Sequence, residues 1–196
     1  YKKIEIIFYD DFSNDLSLHK VTKLKSKKLK IIKNTIRGKN YSFNQMNGIF
    51  KSLDKSKGEI VCILDADDFF KENKIKKIVN FFKKNKQQEI LFDRPFNYFN
   101  KDNIYKSSVN FKERLYKWPI FPPTSCMSFR KKSLKKAEKK IFVKNFQDIW
   151  FDFRVATYFS IKKDQFNILD DHLTYYRQHS TNYDKKFRKY FNLSWW

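Results

Sequence analysis

Cysteine, histidine, acidic side chains and long apolar runs are all scarce in this chain of 196 residues, and each scarcity removes a class of protein. The two cysteines, Cys62 and Cys126, each lie inside an apolar segment with no Cys or His at metal-ligand spacing. That argues against a cysteine-based metal site and leaves two buried, reduced thiols as the expectation. No apolar stretch approaches the roughly 18 residues that a membrane span needs, and no signal peptide is visible at the start. The expected location is therefore the cytoplasm, with room for peripheral contact at the anionic inner face of the membrane. No internal repeat and no flexible linker interrupts the chain.

The shortage of acid is the largest of these. Against 43 Lys and Arg stand 21 Asp and Glu, a net charge of +22. Such a surface attracts nucleic acid, anionic lipid head groups or phosphorylated substrates. Lysine, however, is spread along the whole length, and the chain is crowded with Asn, Ile and Phe, as an AT-rich coding sequence favours. The charge therefore says little for a nucleic-acid partner, and none is expected.

In so basic a chain, three carboxylates at the end of an apolar run stand out. Glu59-Ile60-Val61-Cys62-Ile63-Leu64-Asp65-Ala66-Asp67-Asp68-Phe69-Phe70 reads as a strand buried on both faces, bounded by Gly58 and closed by an acidic turn. In open α/β sheets ligands bind outside the carboxyl ends of the strands, and Mg²⁺ is typically held by one or two carboxylates plus substrate phosphates. The spacing thus points to a metal-bridged phosphate. The alternative is a plain strand-to-helix turn in which Asp67 or Asp68 caps the next helix.

Ile4 to Tyr9 predicts a strand ending in Asp10-Asp11-Phe12-Ser13-Asn14-Asp15, a polar turn before a helix to about Lys25. Leu29 to Ile32 predicts a second strand. Phe43, Met46, Asn47, Ile49, Phe50 and Leu53 recur at helical spacing, and Lys57-Gly58 stops that helix before the acidic-ended strand. A further amphipathic helix follows around Ile75 to Phe82, then a strand from Glu89 to Phe92. This βαβ alternation predicts an α/β fold with a mostly parallel sheet wound by right-handed crossovers. Beyond it, strand-like pieces (Phe92 to Phe99, Ser125 to Arg130) alternate with loops holding Pro95, Pro119, Pro122 and Pro123, which predicts a smaller mixed region. A helix is expected over about Gln147 to Tyr158, then strands at Phe166 to Asp170 and Leu173 to Arg177, then a basic, aromatic tail.

Three segments taken together resemble the family 2 glycosyltransferases with the nucleotide-sugar-binding GT-A fold. Asp10-Asp11-Phe12-Ser13-Asn14-Asp15 is similar to the strand-ending "DDGSTD", Leu64-Asp65-Ala66-Asp67-Asp68 to "LDADD", and Tyr176-Arg177-Gln178-His179-Ser180-Thr181-Asn182 to "YRxHxxN". The resemblance runs from about Lys3 to Asn182 and implies one GT-A-like, Rossmann-type domain. Residues 1–100 would bind the nucleotide sugar, 101–182 would form the acceptor side, and 183–196 would be a tail. Departures accompany it. A family strand reading like "SIIIPTYN" has no counterpart ahead of Ile4, as expected either of a fragment or of a chain with impaired donor binding. Phe12 stands where glycine is usual, and Gln147-Asp148 replaces an acidic pair.

What the resemblance implies is an inverting, metal-dependent transfer of a sugar from a UDP- or dTDP-linked donor to a saccharide or lipid-linked acceptor, in surface polysaccharide synthesis. Asp10 or Asp11 would accept the imide N–H of the base; Asp65 would serve the donor; Asp67, Asp68 and His179 would hold Mn²⁺ or Mg²⁺; Arg177 suits the diphosphate because its fork matches phosphate oxygens. Asp148 would be the catalytic base, with Asp152 one helical turn later as the alternative, although acids in a first turn are favoured by the helix dipole regardless of function. Trp118 with the Pro119 to Thr124 stretch is a candidate acceptor platform or plain core packing, and Lys39 a candidate diphosphate contact. Two other readings compete: a basic nucleic-acid-binding module, and a degenerate transferase-like domain that only binds a partner.

Overall fold

The computed structural model describes residues 1–109, 121–161 and 167–179. Eight strands and five helices follow in the order β1 (Ile6–Asp10), α1 (Ser17–Thr22), β2 (Leu29–Lys33), α2 (Tyr41–Lys55), β3 (Ile60–Cys62), β4 (Phe69–Phe70), α3 (Lys74–Lys84), β5 (Ile90–Asn100), β6 (Asn103–Lys106), β7 (Met127–Arg130), α4 (Lys131–Ile141), α5 (Phe151–Ser160) and β8 (Ile168–Arg177). A single 3₁₀ turn, Thr124–Cys126, precedes β7.

Local chemistry accounts for the helices. The Asn40 side chain caps α2 by accepting the Phe43 N–H at 2.9 Å, and Ser42, Met46, Phe50 and Leu53 then fall on one buried stripe. Ile78 and Phe82 do the same for α3, Leu134, Ala137 and Ile141 for α4, and Phe151, Val155 and Phe159 for α5. Gly48 is required where α2 crosses β1, because a Cβ there would lie 2.7 Å from the Tyr9 ring.

The strands form two sheets. β1 and β2 pair in parallel, and the larger sheet runs β3-β7-β5-β8-β4 with β6 on the far half of β5. β5 is its centre: Ile90, Leu91 and Phe92 are all fully buried. Ile90 and Phe92 meet α2, α4 and α5 on one face, while Leu91 meets Ile78 and Phe82 of α3 on the other. This is a helix–sheet–helix sandwich, as the α/β alternation predicts.

The expected parallel winding is present in direction but interrupted in pairing. β3 and β5 both run antiparallel to β7, so they are parallel to each other and joined by a βαβ crossover through α3, with β7 inserted between them. β8 is parallel to β5, and β4 is antiparallel to β8. An apolar run shows that a strand is buried on both faces, not which way its neighbour runs. The segments around 92, 125 and 168 also shift: β5 is one strand from Ile90 to Asn100, residues 124–126 are a 3₁₀ turn, and Ile168–Arg177 is continuous. Trp118, Pro119 and Ile120 of the candidate platform, Phe166 and residues 180–196 lie outside the described residues. Among the described residues no helix is long and apolar enough to cross a membrane.

Candidate functional site

The site lies at one end of the strands. Glu5, just before β1, accepts the backbone N–H groups of Lys57 and Gly58, just before β3, so β1 and β3 start side by side. Helix α2 runs back against them: Asn47 donates to the Tyr9 hydroxyl of β1 at 3.2 Å, and Gln45, half a turn nearer the helix start, donates to Asp65 at 2.9 Å. Asp10 and Asp65 therefore close their strands at the same end of the molecule.

At the acidic turn the two distant motifs meet. The Arg177 N–H donates to Asp68 Oδ1 at 2.8 Å, its Nε donates to the Asp67 carbonyl at 2.6 Å, and its guanidinium lies over the Tyr98 ring. His179 Nε2 sits 2.9 Å from Asp67 Oδ2. Asp65, Asp67, Asp68, Arg177 and His179 are thus one cluster, with Asp67 exposed and Asp68 buried. β8 delivers the basic pair because its last residues pair with β5 and abut the 67–68 turn. From underneath, the Ser125 hydroxyl accepts the Asp65 N–H at 2.9 Å.

Packing this much acid in one place shifts its titration. Burial pushes the Asp65 carboxyl up to about 7, opposed by the Gln45 amide and reinforced by the charges of Asp68, Asp67 and Asp152. Burial likewise raises Asp68 to about 6, while the Ser125 hydroxyl and the Arg177 amide draw it back. Asp68 Oδ2 is buried without a hydrogen-bond partner.

Asp10 and Asp11 part company. Asp10 is 3 % exposed; its Oδ2 accepts the Ser13 N–H at 3.4 Å and its Oδ1 is buried without a partner. Asp11 stays accessible, receiving the Asn34 amide at 2.8 Å with Arg37 at 3.9 Å. Phe12 adopts a left-handed φ of 59°, the conformation that favours glycine, and its ring is exposed.

The expectation that Asp148 opens a helix is corrected. α5 begins at Phe151 with Trp150 as its cap, so Gln147 and Asp148 sit in the preceding turn and Asp152 occupies the first helical turn. Bulky Phe151 and Val155 must face the core, which sets the helix start four residues later than the sequence pattern indicates. Asp148 is exposed and is tied to the start of α2, where Asn40 Nδ2 donates to its carboxylate and Ser42 to its carbonyl. Asp152 is half-buried, raised to about 6 by burial, and close enough to Asp65 for its charge to raise that carboxyl further. Gln45, Ser125, Asn40 and Tyr98 carried no sequence signal as site residues, because each belongs to it only through a partner far along the chain.

The glycosyl transferase family 2 profile matches residues 1–142. The chain belongs to glycosyl transferase family 2. It is 29 % identical to an uncharacterized glycosyltransferase from Nostoc sp., over 93 % of this chain and 58 % of that protein. Among solved structures, S. aureus TarS residues 1–349 in complex with UDP-GlcNAc superposes with a TM-score of 0.62 at 17 % identity, covering 91 % of this chain and 50 % of that fragment. The same fragment with UDP gives 0.61 at 18 % identity, covering 89 % and 51 %. This family 2 chain thus has the GT-A fold of TarS and spans about half the length of the proteins it matches.

Among the described residues no three of His, Cys, Asp and Glu converge as a closed metal cage. What they offer is a pair: the carboxylate of Asp67 and the imidazole of His179. One oxygen and one nitrogen donor, both accessible, are of the types that a divalent cation accepts.

Proposed function

We propose that this family 2 chain carries the donor site of an inverting, metal-dependent glycosyltransferase that moves a sugar from a UDP- or dTDP-linked donor to a saccharide or lipid-linked acceptor, as in surface polysaccharide synthesis. The observation that carries this reading is the meeting of Asp67 and Asp68 with Arg177 and His179 across the whole chain. It is supported by family membership and by the fold shared with TarS, which has been crystallised with UDP-GlcNAc and with UDP.

In this reading Asp10 or Asp11 accepts the imide N–H of a uracil or thymine ring, and Asp11 is the more accessible of the two. Asp65 holds the donor from beneath. Arg177, fixed by Asp67 and stacked on Tyr98, presents cationic N–H groups to the diphosphate. A Mn²⁺ or Mg²⁺ held by Asp67 and His179, with Asp68 behind, would supply Lewis-acid stabilisation of the departing diphosphate. Transfer is a single displacement. The acceptor hydroxyl oxygen bonds to the anomeric carbon, the carbon–phosphate-oxygen bond breaks, and the nucleoside diphosphate leaves with the electron pair. Asp148 takes the hydroxyl proton, a role worth about 10²–10⁴-fold. A second candidate for that proton is Asp152, whose raised affinity and position beside Asp65 suit a base working near neutrality.

The test is release of nucleoside diphosphate from a panel of UDP- and dTDP-sugars with Mn²⁺, using the longest natural form of the chain. No release from any donor sinks the proposal. Tight, steeply salt-dependent binding to random DNA or RNA instead favours the nucleic-acid reading.

A further inference from the structure

Lys74 is fully buried, an expensive place for an ammonium group, and the transfer chemistry does not use it. Its Nζ lies 2.6 Å from Asp93 Oδ2, 2.6 Å from Thr174 Oγ1 and 2.7 Å from the Ser125 carbonyl oxygen, and stands 4.0 Å above the Phe70 ring. Thr174 Oγ1 and the Ser125 carbonyl accept hydrogen bonds from the ammonium group, and the Asp93 carboxylate supplies its counter-charge. Thr174 in turn donates to Asp93 Oδ1 at 2.7 Å, and Asp93 is itself fully buried. The partners come from four separate pieces of chain: β4, β5, the 3₁₀ turn and β8.

Those pieces are the ones that build the donor site. Ser125, whose carbonyl Lys74 holds, receives the Asp65 N–H on its hydroxyl. Thr174 lies three residues before Arg177 on β8, and Phe70 lies two residues after Asp68. A buried ion pair is poor evidence of stabilisation, because well-packed apolar residues in its place are often as stable or more so, by about 1–4 kcal/mol. A directional role accounts better for a charge in this place: three hydrogen bonds and an ion pair set angles and register that apolar packing does not.

We propose that the Lys74–Asp93 pair is a positioning device, which clamps the acidic turn of residues 65–68 to the Ser125 turn and to the end of β8 and so sets the geometry at which Asp67, Asp68 and Arg177 face the donor diphosphate. Its effect on donor binding rests on the transferase reading above. The clamp itself does not.

The experiment pairs two measurements on the double variant Lys74→Met/Asp93→Leu, which removes both charges together and leaves neither stranded. The double variant folds with a melting temperature near or above that of the parent. Amide hydrogen exchange at Asp65 and Arg177, whose N–H groups donate into this network, accelerates at least tenfold, and the Kd for UDP with Mn²⁺ rises about tenfold. Thr174→Val, which deletes one hydroxyl at nearly constant volume, shifts exchange in the same direction by less. Unchanged exchange at both amides in the folded variants overturns the proposal. So does a double variant that fails to fold, because the pair is then a stability element. A parent that binds no nucleotide counts against the transferase reading alone and leaves exchange to decide the clamp.

Discussion

His179 Nε2 lies 2.9 Å from Asp67 Oδ2, although the two are 112 residues apart in the chain. β8 carries His179 just past Arg177, whose backbone N–H is fastened to Asp68, and this brings the imidazole to the acidic turn. The pair is the exposed lip of a cluster whose floor is Asp65 and Asp68.

Asp67→Ala is expected to lower nucleoside diphosphate release by 100-fold or more and to abolish its response to Mn²⁺. Asp54→Ala serves as the control: Asp54 is an exposed partner of Lys135, and exposed pairs contribute little. Equal activity of the two variants in a steady-state release assay would remove Asp67 from the site. His179→Ala should fall between them, raising the Mn²⁺ requirement more than it lowers the maximal rate.

Asp148→Asn and Asp152→Asn separate the two candidates for the proton. Loss of the base lowers kcat by about 10²–10⁴-fold with little change in KM for the donor. That result is expected of Asp148→Asn. Asp152→Asn is expected to change donor affinity through Asp65 and to leave most of kcat. The reverse pattern assigns the base to Asp152.

The raised carboxyls make a prediction about stability and pH. An acid whose affinity for its proton is higher in the folded state holds that proton longer on folding, so its favourable contribution is complete below the ordinary carboxyl range near 4. It is lost as pH rises through the folded value, about 7 for Asp65 and about 6 for Asp68 and Asp152. Asp65→Asn should therefore melt close to the parent below pH 4 and increasingly above it from pH 5 to pH 8 in metal-free buffer. A difference that stays constant with pH would show that Asp65 is not strained by its ionisation.

Phe12→Gly is expected to stabilise the fold by about 1 kcal/mol, because the left-handed φ of 59° costs a side-chain-bearing residue about that much and the exposed ring gives little packing in return. Urea unfolding measures it. A loss of stability would show that the ring makes contacts worth more than the backbone cost.

Gly48→Ala is expected to destabilise by about 1–3 kcal/mol, since the new methyl would stand 2.7 Å from the Tyr9 ring and push α2 away from β1. The same urea measurement checks it. A neutral result would mean that Tyr9 swings aside without cost.

The helices α2 and α3, the strands β1, β2 and β3 and the acidic turn were legible in the sequence because their signals are local: apolar spacing, the Lys57-Gly58 stop and an apolar run closed by carboxylates. Family membership was legible too, since three short motifs in order do not need a structure to be read. The start of α5 was misplaced, because Gln147 and Asp148 look like a first turn until Phe151 and Val155 are seen to require the core. Lys74 left a faint trace: it is in phase with Ile78 and Phe82 on the apolar face of α3, but it was one basic residue among 43.

By itself, then, the sequence determined the family, through three short motifs in order, and the approximate place of most strands and helices, because periodicity acts over a few residues. Only the tertiary structure decided that β7 slips between β3 and β5, that β8 brings Arg177 and His179 to Asp67 and Asp68, that Gln45 and Ser125 grip Asp65 from two sides, and that a buried lysine ties these pieces together. Hydrogen bonds and ion pairs of this kind span 20 to 112 positions along the chain. Their distances are set by how sheets and helices pack, which no local pattern records.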